Sequence, residues 1–191
     1  MKEVRVAEIR ANDPVATGEG FNISGRPIVY DTPTTIHDLV GDYIETIKRG
    51  ALDGADLSDV RLLVNHDETR LPLARVPKTM TLSVDNDGLT FKANLPDTEA
   101  GKEAYEAVRR GDLTGMSFAF TVPEGGDSYD AKTNTRTITK IAKVYECSLV
   151  NYPAYESTYV STESRSARQA SLAKEDARRK AKILINQIRR V

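Results

Sequence analysis

"PTTIHDLVGDYIETIKRG", residues 33–50, is the stretch on which the fold reading turns. Ile36, Leu39, Val40, Tyr43, Ile44 and Ile47 fall at i, i+3, i+4, i+7, i+8 and i+11. That spacing lines one face of an α-helix. Pro33 and Thr34–Thr35 open the run, Asp38 completes a capping box with Thr35, and Gly50 closes it. The pattern predicts an amphipathic helix over 36–47.

The flanking segments read mostly as strands. Residues 3–10 and 21–30 (FNISGRPIVY) are rich in Val and Ile and are broken by Gly25 and Pro27. Residues 51–60 form a loop of Asp, Gly and Ser, and Arg61–Asn65 is a strand that ends at His66. Residues 73–84 and 88–95 pair as a hairpin about Asn86-Asp87-Gly88. Pro96-Asp97-Thr98 caps a second helix, 99–110, which Gly111 stops. A strand follows at 115–122, then the polar loop PEGGDSYDAKTNT, then one long strand at 136–150. Along that strand Tyr145, Cys147 and Leu149 face one way, and Glu146, Ser148 and Val150 the other. The expected architecture is a β-rich α+β domain over 1–160 with a basic helical or mobile tail over 161–191.

Composition narrows the function classes. The chain of 191 residues is 39% hydrophobic and 29% charged. No apolar run approaches the roughly 20 residues that span a bilayer. MKEVRVAEIR lacks the apolar stretch of a secretory signal. The single cysteine, Cys147, excludes an internal disulfide and suits a reducing, cytosolic setting. The net charge of −1 hides a division. Residues 161–191 hold nine Lys/Arg and three Asp/Glu, leaving eighteen and twenty-five in residues 1–160. An acidic body thus carries a basic tail with a thin apolar stripe at Leu172, Ile183, Leu184, Ile185 and Ile188. Such a tail suits an acidic partner, nucleic acid or a solvated helix. The body offers no basic aromatic platform for nucleic acid, which is therefore not the expected partner.

Three residues carry candidate chemistry. Ser117 in "GDLTGMSFAF" (111–120) begins an apolar strand beside Gly115, where free backbone N–H groups could serve an attacking hydroxyl; the alternative is a small packed residue. His66 is one of two histidines and stands open between general base, metal ligand and structural residue. His37, at the predicted helix start, suits the surface. Glu146 in "VYECSLVNYPAY" is an acid inside an apolar strand, a placement that requires a partner unless it faces water. A metal site from His66, Asp67 and Glu68 has poor geometry, because three adjacent ligands diverge. Cys147 shares the apolar face of Tyr145 and Leu149, so packing is its default role.

In combination these segments resemble a family. "NHD" ending a strand, "DTEAGKEAYEAVRRGDLTGMSFAF" and "YECSLVNYPAY" are similar, in that order, to the prohead (capsid maturation) proteases of tailed phages. "FNISGRPIVYD" resembles that family's first strand and "YIETIKRGAL" its first helix, so the likeness covers about residues 20–157. It implies the fold of herpesvirus assembly proteases, a mainly antiparallel β-barrel flanked by helices. It implies a serine endopeptidase with Ser117 as nucleophile, His66 as general base and Glu146 orienting His66. Asp67 is the alternative orienter, and amides of Arg109, Arg110 and Gly111 are candidates for the oxyanion. Ala119 stands where the phage pattern often has glycine. The implied substrates are scaffold protein or the scaffold-like segment of the major capsid protein, and the chain itself, inside an assembling prohead in the host cytoplasm. The likeness further implies a homodimer, and a reaction that needs no cofactor or metal. The competing class is a non-enzymatic capsid assembly or scaffold protein, for which the basic tail argues.

Overall fold

The computed structural model describes residues 3–7, 15–16, 20–37 and 41–151. Within them the chain forms thirteen strands and one helix. The first sheet runs, in spatial order, β1 (Glu3–Ala7), β10 (Gly115–Thr121), β13 (Lys143–Val150), β6 (Arg61–Val64) and β7 (Ala74–Arg75). A second holds β2 (Val15–Ala16), β3 (Asn22–Val29), β9 (Gly88–Asn94) and β8 (Met80–Asp85). A third holds β11 (Asp127–Asp130), β12 (Thr135–Ile138), β5 (Tyr43–Ile47) and β4 (Thr34–Ile36). β12 lies parallel to β5 and β13 parallel to β6, and the other pairings are antiparallel.

This is a mostly β, α+β-like chain. The expected closed barrel is not found: the described strands form three sheets, and α1 (Glu99–Arg110) is the one described helix. The helix predicted over 36–47 is instead the antiparallel pair β4–β5, in register from Thr34↔Glu45 to Ile36↔Tyr43. Residues 38–40 lie outside the described residues. The reason for the difference is visible along β5. Tyr43, Glu45 and Ile47 are buried and Ile44 is 40% exposed, a period of two rather than 3.6. The inward position is hidden in the sequence because it is a glutamate.

Glu45 is buried because β12 brings it an arginine. Arg136 Nη1 donates to Glu45 Oε2 at 3.0 Å and to Glu3 Oε2 at 2.6 Å. Its Nη2 reaches Glu3 Oε1 at 3.0 Å and its Nε reaches Asp127 Oδ2 at 2.6 Å. Burial works against the guanidinium charge, yet Glu3, Glu45 and Asp127 together hold its pKa above the usual arginine value. The cluster ties β1 of the first sheet to β5, β11 and β12 of the third.

The expected single strand 136–150 is two strands in two sheets, and the polar loop before it contains β11. Between β12 and β13 the chain crosses from sheet to sheet. Ile141, fully buried, donates its N–H to Ala51 O at 2.7 Å, and Thr139 and Lys140 donate to Gly126 O. A Cβ on Gly126 would sit 2.8–2.9 Å from Pro123 and from Lys140 O, so this corner requires glycine.

The remaining elements follow their local chemistry. Thr98 Oγ1 accepts the Gly101 N–H at 3.3 Å to start α1, and Gly111 at φ 79° ends it. The hairpin β8–β9 closes over Asn86–Asp87, with Asp85 opposite Gly88. Gly88, at φ 143°, passes so near Ile28 O that a Cβ would lie 1.9 Å from it. The main core packs β3, β9, β10, β13 and β6 with Ala104 and Val108 of α1, and Phe118 and Phe120 stack within it at 5.1 Å. Each such buried Ile, Leu or Phe contributes about 1.5–3 kcal/mol. No described helix is long and apolar enough to cross a membrane. The predicted tail 161–191 lies outside the described residues.

Two predictions arise here. Arg136→Ala strips a buried guanidinium from Glu3 and Glu45 and should cost about 3–5 kcal/mol in denaturant unfolding. The second concerns acid. Arg26 holds Asp85 well below the usual carboxylate range through bonds of 2.6 and 2.7 Å, and Lys143, with Ser58, does the same to Asp56. Because both folded values are depressed, their stabilisation is complete above the unfolded pKa of about 4 and lost as pH falls through the folded values. The Tm should therefore drop below about pH 4, and less steeply in Asp85→Asn, as calorimetry across pH would show.

Candidate active site

β13 is buried on both faces, and one of its inward residues is a carboxylate. Glu146 is 3% exposed. A buried charge needs partners, and both its oxygens have one. His66 Nδ1 donates to Oε1 at 2.6 Å, and Ser148 Oγ donates to Oε2 at 2.6 Å. Glu146 and Ser148 are two residues apart on one strand, so their side chains share a face.

His66 reaches this face through a strained turn. β6 stops at Val64, and Asn65 and His66 both adopt left-handed backbone, at φ 51° and 58°. Non-glycine residues hold that conformation at some cost, though Asn and His tolerate it better than most. The turn is pinned at three points, two on β13 and one just past it. Asn65 N–H donates to Leu149 O at 2.8 Å, His66 N–H donates to Ser148 Oγ at 3.2 Å, and Asn65 Oδ1 accepts Asn151 N–H at 3.2 Å. The turn thereby carries the imidazole back over β13. Its other nitrogen, Nε2, is buried and has no hydrogen-bond partner among the described residues.

Ser117 sits on the opposite flank of β13. α1 and its Gly111 cap deliver the chain into β10, where Ser117 pairs with Ser148. Directly opposed residues of an antiparallel pair share a face, with Cβ atoms about 4.5–5.5 Å apart. Ser117, Ser148, Glu146 and the His66 ring therefore gather on one face, and Ser117 is fully buried. Ala119 lies opposite Glu146.

The other expectations fare differently. Asp67 accepts from Thr69 N and Oγ1, while His66 Nδ1 bonds to Glu146, so Asp67 does not orient His66. Arg109 and Arg110 form the last turn of α1, with Arg109 on Glu106, and the Gly111 N–H goes to Val108 O. That segment directs its donors to the helix rather than to the site. His37 is exposed and bonds Asp42 at 2.9 Å. Tyr145 does not share the core face of Cys147 and Leu149. A register shift between Ala119 and Phe120 pairs Phe120 with Val144 and leaves Tyr145 as the extra residue of a bulge. Tyr145 instead joins Glu146, Leu63, Pro72, Arg61 and Arg70 in lining a cavity of about 250 Å³ beside the His66–Glu146 pair. Ser148 was given no role from sequence, although its i+2 spacing from Glu146 was the available signal.

The sequence matches the family described as caudovirus prohead serine protease over residues 5–172. The chain belongs to that family. No curated protein and no solved structure matches it. Membership makes the prohead protease a serine peptidase of capsid maturation, acting on capsid or scaffold proteins inside the assembling capsid. The match extends beyond the 20–157 likeness read from motifs, into the basic tail.

One prediction concerns a residue the chemistry does not use. Burial, and then the nearby Glu146 charge, push the fully buried Cys147 thiol well above the ordinary thiol range. At about pH 8 the native protease should react with Ellman's reagent far more slowly than a free thiol and should react promptly once denatured. Rapid reaction in the native state would show that β13 opens.

Proposed function

We propose that this prohead protease is a serine endopeptidase in which Ser117 is the nucleophile, His66 the general base and Glu146 the residue that orients His66. The observation that carries the reading is the state of the imidazole. One nitrogen is fixed on a carboxylate and the other is buried and has no partner among the described residues, on the face that Ser117 shares.

In this mechanism Ser117 Oγ bonds to the scissile carbonyl carbon while its proton passes to His66 Nε2. Glu146 stabilises the imidazolium that forms. The C–N bond then breaks, and His66 returns the proton to the leaving amine. Water attacks the acyl-enzyme with the same base, releasing the acid and restoring Ser117. No atom is supplied from outside substrate, water and these side chains. The cavity lined by Leu63, Pro72 and Tyr145 is large enough for one substrate side chain. Because Ser117 is fully buried, peptide access requires the groups around it to shift. We assign as substrates the scaffold protein or a scaffold-like segment of the major capsid protein, together with the protease chain itself.

The test is the intact mass of the full chain, incubated at high concentration and also within a co-assembled capsid-protein shell. Wild type should shorten, and Ser117→Ala and His66→Ala should slow cleavage by about a thousandfold or more. A wild-type chain that stays whole in both settings, or a Ser117→Ala chain that shortens at the wild-type rate, sinks the assignment.

A further inference from the structure

The site contains a second serine, and its bonding differs from that of a nucleophile. Ser148 is fully buried, and its hydroxyl has two fixed partners. It donates to Glu146 Oε2 at 2.6 Å and accepts the His66 backbone N–H at 3.2 Å. One hydroxyl therefore touches both ends of the His66–Glu146 pair. The first bond sets the carboxylate rotamer, so that Oε1 meets Nδ1. The second bond satisfies an N–H in a left-handed turn that the backbone does not otherwise favour.

We infer that Ser148 is a positioning residue, a buried hydroxyl that holds the Glu146 carboxylate in line with His66 and holds the His66 turn in place. This deepens the proposed mechanism and rests on it for its catalytic consequence, although the geometry stands independently. Alanine here would remove the donor to a buried carboxylate oxygen and the acceptor of a buried N–H together. With its donor gone, the Glu146 carboxylate is free to leave the orientation that meets His66 Nδ1, and the transition state that carries the imidazolium loses stabilisation.

The chain has only two histidines, so the imidazole N–H resonances of the full-length protein are readable by NMR, with His37→Gln assigning the signals. The readouts are the His66 Nδ1–H resonance, which its carboxylate partner shifts downfield, and the self-cleavage rate in wild type, Ser148→Ala and Ser148→Thr. In Ser148→Ala the downfield signal should be lost to exchange or move upfield, and cleavage should slow by about tenfold to a hundredfold. Ser148→Thr keeps the hydroxyl and should restore both. Val150→Ala, a packing change on the same strand, should lower Tm without moving the signal. If Ser148→Ala does not fold, Ser148→Cys, close in size and a poor donor, takes its place. A signal equal to wild type in the folded donor-deficient variant overturns the inference, as does failure of Ser148→Thr to restore it. A wild type that never self-cleaves defeats the protease mechanism, while the resonance still judges Ser148. Acyl or phosphonyl adducts found on Ser148 instead of Ser117 would overturn both.

Discussion

A carboxylate enclosed by a β-sheet sets the terms for everything around it. Glu146 lies on a strand buried on both faces, with β10 and β6 on either side. An isolated charge there would cost several kcal/mol. The sheet accommodates it by converging two donors, one from the same strand and one from the turn after β6. That turn is held in its left-handed form by two bonds to β13 and one to Asn151, just past it. Glu146 thus explains why the chain bends where it does after Val64, why Ser148 is polar in an apolar run, and why the imidazole is aimed in one direction only.

A second buried charge works at the scale of the fold. Arg136 joins β1, β5, β11 and β12 through two nearly inaccessible carboxylates, Glu3 and Glu45, and a partly exposed one, Asp127. Such an ion cluster is weak evidence for net stability, because desolvation opposes the attraction. Its value is in specifying which strands meet. An apolar replacement would tolerate many registers, whereas a guanidinium with three acids tolerates few.

These same buried charges decided what was legible in the sequence. α1 was readable to the residue, since Thr98, Gly111 and the acidic-to-basic run between them are local signals. The strand before His66 and the hairpin turn at Asn86–Gly88 were readable for the same reason, but the single arm expected over 73–84 is β7 in the first sheet and β8 in the second. The 36–47 segment was not, because Glu45 occupies an inward position and its partner Arg136 is 91 residues away. With that position scored as polar, the remaining Ile, Leu, Val and Tyr imitate a helical stripe. Tyr145 was misplaced by a bulge, which breaks alternation without leaving any composition signal. The break between β12 and β13 depends on Gly126 and Ala51, again distant in sequence. At the site, His66, Ser117 and Glu146 could be gathered from motifs, but their bonding could not, since it depends on φ values at Asn65 and His66 that sequence does not declare.

The long reach of the Arg136 cluster also orders events during synthesis. Glu3 leaves the ribosome 133 residues before the arginine that anchors it. β1 pairs along β10, opposite Ser117 through Val6, and β10 itself is made more than a hundred residues after β1. The first strand therefore waits for nearly the whole described chain before it can dock, and loop closure over that span is slow relative to the local hairpins. Until then the strand bearing Ser117 has an unpaired edge, and β13, which supplies Glu146, is the last described strand to be made. The histidine turn, made midway, has nothing to lean on before that point. The proposed grouping of Ser117, His66 and Glu146 therefore cannot close until β13 has been made, so chain order alone delays it.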